Sequence, residues 1–249
     1  MLNDYVISRV FYFIKLINSN IGGVMIKCLI FDLDDTLYYE KTYVLEAFKE
    51  VCRYLSSKYE NNYNEVYKRC IEILSQYGRG KIFNILCEEY GFHENIKKLI
   101  EIYRNTKPKL KLYKKSNEIF DFAKKNNLKL AIITDGCSKV QWNKIKALRL
   151  EEIMDKIIVT DDYGKGYGKP HEKSYKEVIN YLNLKSDECV YIGDNPNKDF
   201  IGAKKLGMKT IRIIHEQGDQ IDDEVNAEFD AELTVKDFSH IIIKLKSIL

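Results

Sequence analysis

From Pro108 onward, apolar runs of strand length alternate with stretches of helix length. That alternation restricts the fold more than any other feature. The strand-length runs are 128–134, 157–160, 189–193 and 210–214. Helical stretches at 140–148, 174–182 and just before Gly207 separate them, with 116–125 ahead of the first and a last helix near 238–246. Strands spaced by helices in this way pair in parallel, and the helices cover both faces of the sheet. An earlier apolar run, 26–30, supplies one more strand. The expected fold is α/β: a Rossmann-like parallel sheet with helices on both faces.

Between that first strand and Pro108 the pattern is purely helical. Val44, Phe48, Val51, Cys52, Leu55 and Tyr59 fall at helical spacing, as do Ile96, Leu99, Ile100 and Tyr103. Breaks at Asn61-Asn62, Gly78-Arg79-Gly80 and Gly91 divide the stretch into about four helices, enough for a small inserted α-helical domain. The boundaries read as 25–40 and 113–249 for the core and 41–112 for the insert. Residues 1–24 read as an extension, with Met25 the native start, because the first strand begins directly after it. The apolar run 10–14 is bracketed by Arg9 and Lys15 and is too short to span a membrane.

The 249 residues are 45% hydrophobic, which suits a buried core and excludes disorder. Forty basic and 37 acidic residues leave a net charge of +3, which gives no support for a nucleic-acid polymer or a membrane as partner. The lysine-dense stretch 107–115 reads as a solvated face. Six cysteines without a C-x-x-C pair point to free thiols in a reducing, cytoplasmic compartment. A monomer or homodimer is expected.

In open α/β sheets, ligands bind beyond the carboxyl ends of the strands. The polar residues there are the candidate site. The first strand ends in Phe31-Asp32-Leu33-Asp34-Asp35-Thr36. Asp32 and Asp34, two apart, leave a strand on the same side, and two converging carboxylates repel unless a cation or proton compensates. A hard dication such as Mg²⁺ prefers such oxygen ligands. The second strand ends in Thr134-Asp135-Gly136, Lys169 follows the third, and the fourth ends in Gly193-Asp194-Asn195 with Asp199 beyond.

Together these groups suit phosphoryl transfer. A carboxylate nucleophile splits phosphomonoester hydrolysis into two steps through an aspartyl phosphate. A lysine, a threonine hydroxyl and backbone N–H groups hold phosphoryl oxygens. A second acid protonates the leaving oxygen and then deprotonates water. Singly, each signal also fits an ordinary turn, loop lysine or helix start.

In that order, the motifs resemble those of the haloacid dehalogenase-like hydrolase superfamily, in the branch whose helical cap follows the first motif. The resemblance spans about residues 26–249. It implies that Asp32 is the nucleophile and Asp34 the general acid/base. Asp32, the Asp34 carbonyl and Asp194 are the implied Mg²⁺ ligands. Thr134, Asp135, Gly136 and Lys169 are implied to bind phosphate, with Asn195 and Asp199 supporting them. Arg79 and Lys81, in the glycine-flanked loop of the cap, are candidate substrate contacts, although a solvated basic turn explains them equally well. Asp34 and the acidic fourth motif favour a phosphatase over the superfamily's metal-free dehalogenases. The expected function is Mg²⁺-dependent hydrolysis of a small-molecule phosphomonoester, a sugar phosphate or nucleoside monophosphate. The alternatives are a phosphomutase of the same fold and a non-catalytic phosphosugar-binding protein.

Overall fold

A computed structural model describes residues 25–218 and 228–246, so the extension 1–24 lies outside the described residues. The strands are β1 (Cys28–Phe31), β2 (Lys129–Thr134), β3 (Lys156–Val159), β4 (Cys189–Gly193), β5 (Lys209–Ile213) and β6 (Leu233–Val235). They form one sheet in the order β3-β2-β1-β4-β5-β6, and every neighbouring pair is parallel. β1 is therefore central, between β2 and β4, and the Asp32 N–H extends its ladder by donating to the Ile192 carbonyl at 2.8 Å.

Alternation along the strands sends side chains into two different cores. Leu29, Phe31, Leu130, Ile132, Val190 and Ile192 join one cluster. Cys28, Ile30, Ala131, Ile133, Cys189 and Tyr191 join the other. Both faces of the sheet are thus buried, which is why these strands read as continuous apolar runs. Helices α5 (Ser116–Lys125), α6 (Ser138–Ala147) and α9 (Phe238–Lys246) contribute Ile119, Phe120, Val140, Ile145 and Phe238 to the first cluster. Helices α7 (Lys173–Leu182) and α8 (Phe200–Lys205) contribute Tyr175, Val178 and Phe200 to the second.

The inserted helices are α1 (Glu40–Lys58), α2 (Tyr63–Tyr77), α3 (Ile82–Tyr90) and α4 (Ile96–Asn105). Their apolar stripes close on each other around Phe48, Val51, Leu55, Cys70, Leu86 and Leu99, a core separate from those of the sheet. The breaks are set by local chemistry. The Asn62 side chain caps α2 by accepting from the N–H groups of Asn64 and Glu65, and Gly91 ends α3 in the left-handed conformation (φ 65°). The chain leaves and re-enters the sheet domain at neighbouring points. Tyr38 bridges to Leu112, and the Tyr113 N–H donates to the Leu37 carbonyl at 2.9 Å. This pairing hangs the helical insert over the carboxyl end of β1.

Candidate active site

β1 and β4 deliver the acidic groups. The carboxylate oxygens of Asp32, Asp194 and Asp199 lie within 4.8 Å of one another, and all three residues are buried. Lys169 reaches the same point from the segment before α7. Its ammonium lies 2.6 Å from Asp32 Oδ1, 2.7 Å from Asp199 Oδ1 and 3.0 Å from the Tyr191 hydroxyl. Burial alone disfavours the Lys169 charge, but Asp199 and Asp32 outweigh it and hold its pKa well above the ordinary value. Two close approaches set this geometry. A Cβ on Gly193 would come within 2.4 Å of Asp199 Oδ2, and one on Gly202 within 2.5 Å of the Pro170 carbonyl oxygen. The missing side chains let Asp199 lie against β4 and let α8 press on the segment that carries Lys169.

The carboxylate cluster has the chemistry of a cation site. Asp32 Oδ2 is buried and has no hydrogen-bond partner. Burial, and then the charges of Asp199 and Asp32, push the Asp194 carboxyl well above the usual range. Lys198 approaches Asp32 Oδ2 to 3.6 Å, a distance that leaves the oxygen's lone pairs open. Asp199 is already occupied: its Oδ1 accepts from Lys169, and its Oδ2 accepts from the Asn195 N–H at 3.0 Å. Asp32 and Asp194 are the carboxylates left to hold a hard cation directly, and oxygen donors of this kind suit Mg²⁺.

Asp34 occupies a different environment and stays outside that cluster. Its Oδ1 accepts from the Tyr38 hydroxyl at 2.6 Å and from Lys144 Nζ at 2.7 Å. Its Oδ2 accepts from Gln141 Nε2 at 2.9 Å and from Lys144 Nζ at 2.9 Å. Burial pushes this carboxyl up. The Lys144 charge and the hydrogen bonds from Lys144, Tyr38 and Gln141 more than offset that and hold it below the ordinary carboxylate range. Gln141 also donates to Thr134 Oγ1 at 2.5 Å, so one amide links the end of β2 to the end of β1.

The remaining sequence candidates divide. The Asp135 carboxylate turns away from the cluster: it accepts from the Thr160 hydroxyl at 2.6 Å and from the Lys169 N–H at 3.1 Å, tying the β2 loop to the lysine segment. Gly136, at φ 120°, turns the loop beneath Gln141. Asn195 shapes the turn after β4, where its Oδ1 accepts from the Asn197 N–H. Arg79 pairs with Glu40 at 2.8 Å, while Lys81 is an exposed residue at the start of α3. Sequence reasoning misses Lys144, Gln141 and Tyr38. The one available signal is that Gln141 and Lys144 share a helical face just after the Thr134-Asp135-Gly136 turn.

The family model for haloacid dehalogenase-like hydrolases matches residues 29–213. A glyceraldehyde 3-phosphate phosphatase of Methanocaldococcus jannaschii is 31% identical over 220 residues, 82% of this chain and 92% of that protein. Among solved structures, a HAD phosphatase from Thermococcus onnurineus aligns with a TM-score of 0.59 at 24% identity, over 89% of this chain and 99% of that one. The magnesium-bound putative HAD hydrolase YfnB of Bacillus subtilis aligns with a TM-score of 0.64 at 18% identity, over the same shares of the two chains, 89% and 99%. The chain belongs to the haloacid dehalogenase-like hydrolases. It is a hydrolase of the kind that acts on phosphorylated small molecules through aspartate chemistry. Among the described residues, no helix is long and apolar enough to cross a membrane.

Proposed function

We propose that the chain is a cytoplasmic, Mg²⁺-dependent phosphatase that hydrolyses a small phosphomonoester through an aspartyl phosphate on Asp32. The observation that carries this reading is the buried cluster of Asp32, Asp194 and Asp199, with Lys169 bound to Asp32 and Asp199 and one Asp32 oxygen left without a hydrogen bond. The inserted unit is read as 41–112, within a core of 25–40 and 113–249. The M. jannaschii relative is named for glyceraldehyde 3-phosphate, so a triose phosphate leads the substrate panel.

The chemistry follows from the residues. A phosphoryl group enters between the Lys169 ammonium and the end of β2, where the Thr134 hydroxyl and the N–H groups of Asp135 and Gly136 complete its hydrogen bonds. The Asp32 carboxylate attacks phosphorus as the ester P–O bond breaks, and Asp34, which enters this step carrying a proton, gives it to the departing oxygen. Water then attacks phosphorus of the aspartyl phosphate, the Asp32 O–P bond breaks to release inorganic phosphate and free Asp32, and the proton Asp34 takes from the water restores its acid form. Asp32, Asp194 and the Asp34 carbonyl would hold Mg²⁺, which would neutralise charge between nucleophile and phosphate. Lys169 keeps the Asp32 oxygens oriented, and Asp199 fixes Lys169.

The test is phosphate release from a panel of glyceraldehyde 3-phosphate, other sugar phosphates, nucleoside monophosphates and 4-nitrophenyl phosphate. It is run with Mg²⁺, with EDTA and with Asp32→Asn. Release that requires both Mg²⁺ and Asp32 is the expected result. Isomerised product without phosphate release would replace this reading with a mutase, and release that persists in Asp32→Asn would overturn the nucleophile.

A further inference from the structure

We propose that Lys144 is the positioning residue of the general acid/base Asp34, and that Glu40 connects it to Arg79 in the loop of the helical insert. This rests on the role given to Asp34 above. Four side chains of alternating charge run in sequence from the insert to the core. Arg79 Nη1 lies 2.8 Å from Glu40 Oε2, Glu40 Oε1 lies 3.6 Å from Lys144 Nζ, and Lys144 Nζ lies 2.7 Å from Asp34 Oδ1. The Lys144 side chain is 3% exposed, and its ammonium sits 4.9 Å from the centre of the Tyr43 ring. A lysine this deep costs several kcal/mol to desolvate unless its partners repay it. Filling that space would need only an apolar side chain. The observed contact instead places one cation on both oxygens of a single carboxylate.

That contact has a consequence for the two steps of the reaction. As base, Asp34 needs to be a carboxylate held in a fixed orientation, and the donors Tyr38, Gln141 and Lys144 provide this. As acid, it needs one oxygen released from a donor so that it can carry a proton to the leaving group. Lys144 is the charged donor, and its second ion-pair partner, Glu40, is shared with Arg79. Arg79 also lines a cavity of about 240 Å³ with Val44, Phe48, Phe83 and Tyr103. A substrate group that engages Arg79 from this cavity draws it from Glu40. Glu40 then competes for Lys144, and Asp34 is free to turn to the leaving oxygen. Occupancy of the insert is thereby transmitted to the acid.

Steady-state kinetics on the best phosphomonoester of the panel, with Mg²⁺, test the assignment. Lys144→Met should lower kcat by roughly 10–100-fold, a part of the roughly 10²–10⁴-fold that general acid–base catalysis supplies, and should leave KM within about threefold. Lys144→Arg should restore most of kcat. Adding Lys144→Met to Asp34→Asn should cost less than about threefold beyond Asp34→Asn, because the two residues act as one unit. A change confined to KM, or full additivity with Asp34→Asn, would overturn the proposal. Should Lys144→Met fail to fold, Glu40→Gln carries the test. It should lower kcat by about threefold or more, and Arg79→Gln should then add nothing to kcat. Wild-type kinetics in Glu40→Gln would overturn the coupling. Absence of Asp32-dependent release from the unaltered protein removes the phosphatase reading and this proposal together. Asp32-dependent release with unaltered kcat in both Lys144→Met and Glu40→Gln removes this proposal alone.

Discussion

Two ion-pair clusters of nearly equal length sit in opposite surroundings. In the sheet domain, Lys169 meets Asp32 at 2.6 Å and Asp199 at 2.7 Å, with all three side chains at most 1% exposed. In the helical insert, Lys58 meets Glu94 at 2.7 Å, but the lysine is 44% exposed. Distance does not separate the two, whereas solvent does. The Glu94 side chain is itself only 6% exposed, but water reaches the pair from the lysine side, screens it, and would solvate Lys58 if Glu94 were lost. Around Lys169 no such substitute exists, so the two carboxylates there are tolerable only because the ammonium lies between them. The core cluster is thus conditionally stable, while the Lys58–Glu94 pair lies at the surface of the insert. Breaking each cluster in turn should show this ordering.

The largest effect is expected at Asp32, and in catalysis rather than stability. Asp32→Asn should lower turnover by roughly 10⁴-fold or more, as loss of a covalent nucleophile does. It keeps the Lys169–Asp199 pair and removes one of the like charges that push Asp194 up. The thermal midpoint without metal should therefore not fall. A variant that unfolds earlier and loses activity in proportion would show Asp32 to be structural.

Next is Lys169→Met, which leaves two buried carboxylates facing each other. The expected loss is about 3–5 kcal/mol in denaturant unfolding, the cost of stripping one partner from a buried pair. An unchanged unfolding midpoint would show that water enters this cluster, and the contrast with the insert would disappear.

Metal binding sharpens the comparison from the other side. Mg²⁺ at 100 times its dissociation constant should stabilise the fold by about 2.7 kcal/mol, because the unfolded chain offers no such site. EDTA should reverse the shift and Asp194→Asn should shrink it, read against NaCl of equal ionic strength. A shift of the same size in Asp194→Asn would place the cation elsewhere.

The sequence exposes this division unevenly. Strands β1 to β5 are legible because they are buried on both faces and read as unbroken apolar runs. β6 escapes, since Leu233–Val235 is three residues long and carries no period. Asp32, Asp194, Asp199 and Lys169 are legible because strand ends are where α/β sheets place polar groups. Lys144 is not, because the carboxylate it binds lies 110 residues earlier in the chain. Arg79 is named by its glycine-flanked loop, but its partner Glu40 lies on the far side of two helices in the chain. Asp135 shows the converse. Its place after Thr134 suggests phosphate contact through the backbone N–H, but nothing in the sequence shows that the side chain accepts from Thr160 and the Lys169 N–H, a local choice that no spacing rule encodes.

The smallest effect is expected at Glu94. Its Oε2 accepts from the Tyr54 hydroxyl at 2.5 Å and from Lys58 at 2.7 Å, and its Oε1 accepts from the Asn95 N–H at 3.0 Å. The Lys58 hydrogen bond first, then those from Tyr54 and Asn95, hold the carboxyl down at about 2 against an ordinary 4.5. A carboxyl depressed on folding adds stability that is complete above its unfolded value and fades as pH falls toward the folded one. Glu94→Gln should therefore lower the thermal midpoint slightly at neutral pH, far less than Lys169→Met. The gap from the unaltered protein should narrow as pH drops below about 4.5 and should also narrow in 1 M salt. A gap that widens in acid would mean that the neutral carboxyl, not the carboxylate, makes the favourable contacts. A gap as large as that of Lys169→Met would mean that this pair is as shielded from water as the Lys169 cluster.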